Sequence, residues 1–182
     1  MHDKSQIHYQ AINSTERAVD ISSKIGDLPP GYRLLRVDDR DGLLDGYEIA
    51  LVNDLDLSLV YYNKVTLKAG RATQKAWRTP AAQHAAVIAD ITDKVFFDYL
   101  LQQHSIMLND DQLTGEGSHH WQRQLSHALS RGMKIYQCKD DGQLQQIECQ
   151  KELNELVDRI WSSSEKQSST LALICKADQA LD

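Results

Sequence analysis

Ile106-Met107-Leu108-Asn109-Asp110-Asp111-Gln112-Leu113-Thr114-Gly115-Glu116-Gly117 is the stretch whose reading decides the fold. Its first three residues are apolar on both faces of an extended chain and are flanked by polar ones. That predicts a short strand covered on both sides, as in an α/β sheet. A polar turn follows, and Thr114 is placed to cap a second helix, although Gly115 and Gly117 weaken its first turn. Trp121, Leu125, Ala128 and Leu129 recur at i, i+4, i+7 and i+8, an apolar stripe on a polar helix. Arg131 and Gly132 supply a last-turn charge and a C′ glycine. Met133–Cys138 then reads as a strand, Asp141-Gly142 as a hairpin turn, and Leu144–Cys149 as the returning strand. Upstream, Val95, Phe96, Tyr99 and Leu100 sit at helical spacing within Thr92–Gln103, with Thr92 as the expected N-cap and Asp93 suited to the first turn. Asp90–Cys149 is therefore helix, strand, helix, strand, strand. Its crossover implies a parallel strand pair, and the final hairpin makes the sheet mixed.

Working outward, Ile7–Ile12 alternates and predicts a first strand with Ile7, Tyr9 and Ala11 on one face. Asn13 or Ser14 is then placed to cap a helix running to about Ile25, stopped by Gly26 and Leu28-Pro29-Pro30-Gly31. Tyr32–Val37, Gly46–Val52 and Ser58–Leu67 read as strands, the last rich in β-branched and aromatic residues. Gly70 marks a turn. Ala81–Ala89 reads as a fourth strand, although its alanines also allow helix. Beyond the hairpin, Leu153, Leu156, Val157, Ile160 and Trp161 form an amphipathic helix. The expected organisation is one α/β domain over residues 1–161, with a mixed twisted sheet and flanking helices. A Ser-rich connector over 162–169 and a C-terminal segment over 170–182 follow, and Thr170–Cys175 docks as a strand or a helical turn.

The 182 residues suffice for one domain with a substantial core. A formal charge of −6 argues against nucleic-acid binding through the whole surface, and no apolar run reaches membrane-spanning length. Cys138, Cys149 and Cys175 lack CxxC spacing, which favours reduced thiols and a cytoplasmic setting. The charge is uneven. Asp38–Asp56 holds seven acids against Arg40 alone, whereas Lys64–Ala89 holds no acid and carries Lys64, Lys68, Arg71, Lys75 and Arg78. Opposite patches so close in sequence can satisfy each other, or steer a protein partner or a second copy into a homodimer.

Several residues invite a chemical reading. His119 and His120 are adjacent and point about 100° apart on a helix, so they do not suit one metal ion, and no metal site is expected. Asp110 and Asp111 can serve as acid and base, although such a pair more often satisfies a turn. Trp77 and Arg78 beside Lys75 can stack on a base and pair with a phosphate, or can be a strand end with a buried indole.

The element order resembles the GNAT acyltransferase fold. The wording of the chain also resembles a family of GNAT-like proteins from bacteria and their phages. The residues that carry this are Tyr47–Val52, Ala76-Trp77-Arg78, Val95–Leu101, Asp110 with Gln112 and Thr114, Gly117, Trp121 and Gly132–Tyr136. The resemblance implies transfer of an acyl group from acetyl-CoA or another acyl-CoA to an amine on a small molecule or protein. It implies Tyr136 as a general acid, although this tyrosine falls on an expected strand, where a plain sheet residue is the favoured reading; a carboxylate or water near Asp110 can assist deprotonation of the amine. A GNAT commonly carries a Gly-rich turn between its fourth strand and the next helix, where backbone N–H groups hold the coenzyme pyrophosphate. Here Ala89-Asp90-Ile91-Thr92-Asp93 is expected at that place, without glycine and with two acids. Arg71, Lys75 and Arg78 are then the candidate phosphate ligands. The alternative is a catalytically silent interaction protein of a phage or mobile element, while the acidic surroundings of Lys64–Arg78 argue against nucleic-acid binding through that segment.

Overall fold

The computed structural model describes residues 4–38, 45–108, 118–139, 141–162 and 171–176. The turn 109–117, most of the acidic loop 38–45 and nearly all of the Ser-rich connector lie outside them. The described chain is α/β, with nine strands and four principal helices, divided into two compact units over residues 1–99 and 100–182. Among the described residues no helix is long and apolar enough to cross a membrane.

The first unit opens with α1 (Lys4–Asn13) where alternation predicts a strand. Its burial follows the helical period: Tyr9 and Ile12 are buried, whereas Ile7 is exposed. Tyr9 and Ile12 pack against Leu35, Val37, Ala50, Val52 and Leu59 of the sheet. This packing, rather than intrinsic propensity, sustains a ten-residue helix. The expected helix from Asn13 to Ile25 is also absent. β1 (Ala18–Asp20) leads instead into a 3₁₀ turn at Ser22–Lys24. The Asp20 carboxylate accepts hydrogen bonds from the Ser22 amide (2.9 Å) and hydroxyl (2.6 Å), a local turn that competes with helix.

β2 (Tyr32–Asp38), β3 (Gly46–Asn53), β4 (Ser58–Lys68) and β5 (Arg71–Arg78) extend β1 into an antiparallel meander, as the sequence predicts for β2 to β4. Ala69 and Gly70, at φ +49° and +73°, make the tight β4–β5 turn, for which glycine is suited. Between Leu51 and Val52 the register shifts. Leu51 pairs with Tyr61 and Val52 with Leu59, so Val60 is an extra residue in β4. The bulge breaks the two-residue period and brings Leu59 and Tyr62 onto one face of the sheet.

Ala81–Ala89 is not a fourth strand. After Pro80, a 3₁₀ turn at Ala82–His84 leads into α2 (Ala85–Lys94), in keeping with the helix propensity of its alanines. Thr92 caps nothing. It lies inside the helix, where its hydroxyl donates to the Ile88 carbonyl at 2.7 Å. A π-helical segment follows at Val95–Leu100, with every residue buried except Asp98.

The second unit contains β6 (Ser105–Leu108), α3 (Ser118–Ser130), β7 (Lys134–Cys138), β8 (Leu144–Ile147), α4 (Gln150–Ser162) and β9 (Leu171–Cys175). Its strand order is β6-β9-β7-β8, with antiparallel neighbours throughout. The crossover from β6 through α3 therefore gives two strands of like direction that are not paired. The C-terminal strand β9 lies between them and is antiparallel to both. Ile106 and Leu108 are fully buried, as are Ala172, Leu173, Ile174 and Cys175. The expected stripe of α3 is buried at Trp121, Leu125 and Ala128. Its C-terminus closes as expected, with Gly132 at φ +73° and the amides of Gly132 and Met133 bonded to the carbonyls of Leu129 and Ala128.

Candidate functional site

The first unit holds a half-open groove of about 480 Å³ lined by Ser5, His8 and Ile12 of α1, Glu48 of β3, Leu59 and Tyr62 of β4, and Trp77 of β5. Strand register assembles it. Tyr62 lies opposite Trp77 on one side and Ala50 on the other, while Glu48 is two residues from Ala50 and so shares its face. The bulge at Val60 adds Leu59. On the other side, the Ser5 hydroxyl donates to the Leu59 carbonyl (2.9 Å) and accepts from the Leu59 amide (3.0 Å), anchoring the start of α1 to β4.

Within the groove the Tyr62 hydroxyl donates to Glu48 Oε1 at 2.7 Å. The carboxylate is half-buried, and its second oxygen remains an acceptor. Trp77 is 45% exposed, so a large aromatic face stands at the rim. The imidazole of His8 is exposed on the helix side. A carboxylate, two aromatic rings and an aliphatic floor of Ile12 and Leu59 together suit an organic cation with an apolar body.

A clamp fixes α1 at the far end of the sheet. Asp54, in the β3–β4 turn, accepts from Arg33 Nε (2.6 Å) and Nη2 (2.7 Å) and from the Tyr9 hydroxyl (2.9 Å). The Arg33 guanidinium, aided by the Tyr9 hydroxyl, holds the Asp54 carboxyl below its ordinary range. Arg33 Nη2 also donates to Asn13 Oδ1 at the end of α1. A second polar set lies at the entrance to α2. Tyr32 Oη is 2.8 Å from His84 Nδ1, and the buried His84 Nε2 is 3.6 Å from Asp56 Oδ2.

Asp38 pairs with Arg36 and Asp54 with Arg33, both arginines belonging to β2. Arg71 and Lys75 lie on the same face of β5 as Trp77, whereas Arg78 lies on the opposite face. Asp110 falls outside the described residues. Tyr136 is half-buried on β7, with Gln146 and Leu173 as its cross-strand partners in the second unit. Among the described residues no group of histidine, cysteine and acidic side chains could hold a metal ion. Cys138 lies opposite Leu144, not Cys149, and none of the three cysteines forms a disulfide.

The expected phosphate-loop position needs correction. Ala89–Asp93 lies within α2, so Asp90 and Asp93 do not stand at a strand–helix junction, and Asp90 pairs with Lys94 at 2.7 Å. The junction is Thr79–His84, which has neither glycine nor acid. No protein family, curated protein or solved structure matches the chain.

Proposed function

We propose that the chain binds an organic amine in the groove beside α1 and acylates it from an acyl-CoA. The observation that carries this reading is the Glu48–Tyr62 pair beneath the open face of Trp77. The ammonium form of the acceptor is drawn to the carboxylate and the aromatic faces. Glu48 or His8 takes one proton from it, leaving the nitrogen lone pair free. That lone pair attacks the thioester carbonyl, a C–N bond forms, the C–S bond breaks, and the departing sulfur leaves as coenzyme A thiol after protonation. Of the order that prompted the GNAT resemblance, the strand meander followed by helix, strand, helix and hairpin remains in support, and Arg71 and Lys75 provide charge for coenzyme phosphates. Tyr136, by resemblance, and Asp110, by its carboxylate chemistry, remain proposed participants.

Calorimetry with acetyl-CoA, followed by a free-thiol assay against a panel of alkyl and aryl amines, tests the reading. Binding heat and amine-dependent thiol release are expected, with Glu48→Gln slowing release by about 10²–10⁴-fold if the carboxylate is the base. Absence of both heat and thiol release refutes it.

The glycine-free junction Thr79–His84 favours a second reading, a catalytically silent interaction protein. In that case Lys64, Lys68, Arg71 and Lys75 of one copy meet acidic residues of another in a salt-sensitive homodimer. Sedimentation at two ionic strengths checks this, and a monomer at both removes the charge-mediated dimer.

A further inference from the structure

The β4–β5 ribbon concentrates the basic stretch on one face. Lys64 lies opposite Lys75, and Lys68 opposite Arg71. Cross-strand partners share a face, as do residues two apart, so all four cations project from the side that carries Tyr62 and Trp77. Thr66 and Thr73, also opposite each other, fill the space between the two cationic pairs. Lys64, Lys68 and Lys75 are exposed or nearly so and Arg71 is half-exposed. Among the described residues none of the four is ion-paired: Glu48, opposite Lys64 across the sheet, takes the Tyr62 hydroxyl instead. No acid occurs anywhere between Lys64 and Ala89. With five cations there, the rest of the chain carries a formal −11 against the −6 of the whole.

We infer that this ribbon face binds single-stranded nucleic acid. Independently of any acyl transfer, the spacing fits the ligand. Successive same-face residues of a strand are about 6.6 Å apart, close to the span of one nucleotide in an extended single strand, so the two cationic pairs are about two such steps apart. Trp77 lies one further step beyond Lys75. Its indole, 45% exposed, provides a stacking platform in line with the charge. Unpaired bases can reach that ring, whereas stacked bases of a duplex cannot. Glu48, in the groove beside Trp77, accepts from an N–H of a stacked base, such as N3–H of uracil or thymine, rather than meeting a phosphate. An acidic peptide would use the cations but leave the indole without a partner.

Fluorescence anisotropy of labelled oligouridine and oligothymidine, each about fifteen nucleotides long, with the full chain tests the assignment. The slope of log K against log salt should be about −2.8 for four phosphates held, and Lys64→Gln with Lys75→Gln should reduce its magnitude by about 1.4. Trp77→Ala should weaken binding about five- to a hundredfold without altering the slope. Lys151→Gln, at an exposed site elsewhere, should leave affinity within about twofold. Circular dichroism confirms that each variant is folded. Tighter binding of the RNA strand than the DNA strand, or the reverse, identifies the source of the ligand. Three results overturn the inference: no anisotropy change at low salt, duplex bound as tightly as single strand, or polyglutamate competing equally while Trp77→Ala has no effect. The last identifies an acidic protein partner instead.

Discussion

Replacing Asp54 by asparagine tests whether the clamp holds α1 to the sheet. The carboxylate accepts two charge-assisted bonds from Arg33 and one from Tyr9, and both charged side chains are 34% exposed. Solvent screening limits the ion pair to about 0.5–1 kcal/mol despite its two-pronged geometry. The Tyr9 bond adds about 1 kcal/mol. The substituted amide keeps one acceptor but turns its N–H₂ group towards the guanidinium, so the total loss at neutral pH is about 1–2 kcal/mol. For a chain of this size that lowers the melting temperature by about 2–8 °C. Tyr9→Phe should account for about half. The sign with pH follows from the depressed folded pKa of Asp54. Its stabilisation is complete above the ordinary value of 3.8 and is lost as pH falls through that value towards the lower folded one. The gap between wild type and Asp54→Asn should therefore close in acid. Urea unfolding followed by circular dichroism at pH 7 and in stepped acid measures both effects. Equal midpoints at pH 7, or a gap that widens in acid, would refute the clamp.

Trp121→Ala should cost about 3–5 kcal/mol, because the indole is only 8% exposed, and an unchanged unfolding midpoint would show that the α3 stripe is not a core face. Gly46→Ala should destabilise by about 1–3 kcal/mol, since a Cβ there would stand 2.2 Å from the Val65 carbonyl oxygen of the paired strand; equal denaturation curves would contradict the β3–β4 register. Burial raises the phenol pKa of Tyr47 and Tyr61 above the ordinary 10.0. Stability is then fully retained below that value and falls as pH rises beyond it, because the unfolded chain ionises first. Absorbance titration should find these tyrosines ionising together with unfolding, and smooth titration of all seven in a folded chain would exclude it.

What the sequence shows of this fold depends on whether a segment's pattern has one physical interpretation. β2, β3 and β4 are legible because their runs are long and β-branched or aromatic. α1 is not, because Ile7, Tyr9 and Ala11 happen to alternate while burial follows Tyr9 and Ile12. Ala81–Ala89 carries both patterns, and propensity decides for helix. The candidate groove is hidden more deeply. Trp77 stands out, but Glu48 meets Tyr62 fourteen residues away only through the β3–β4 register, and Leu59 joins them only through the bulge at Val60. A one-residue shift reverses every face, so no local spacing could announce that set. Ser5 and His8 escape notice as long as α1 reads as a strand.

The position of β9 has a consequence for how the second unit is built. β6 and β7 run in the same direction, and each offers its inner edge to the same late segment. The Asp141-Gly142 hairpin gives β7 a partner on its outer side only. Until Leu171–Cys175 arrives, the facing edges of β6 and β7 lack β9's backbone groups, which cost free energy to bury unpaired. All five β9 residues pair with β7, and three also pair with β6. The strand is apolar along its whole length, so it serves both faces of the unit at once. Ending the chain after Ser169 should therefore abolish cooperative unfolding of the second unit rather than trim its stability. The amides of β7 should then exchange rapidly with solvent, while those of β3 and β4 stay protected within the meander of the first unit. Retained protection along β7 in the shortened chain would mean that β6 and β7 can close on each other, and that the inserted strand is not what completes the unit.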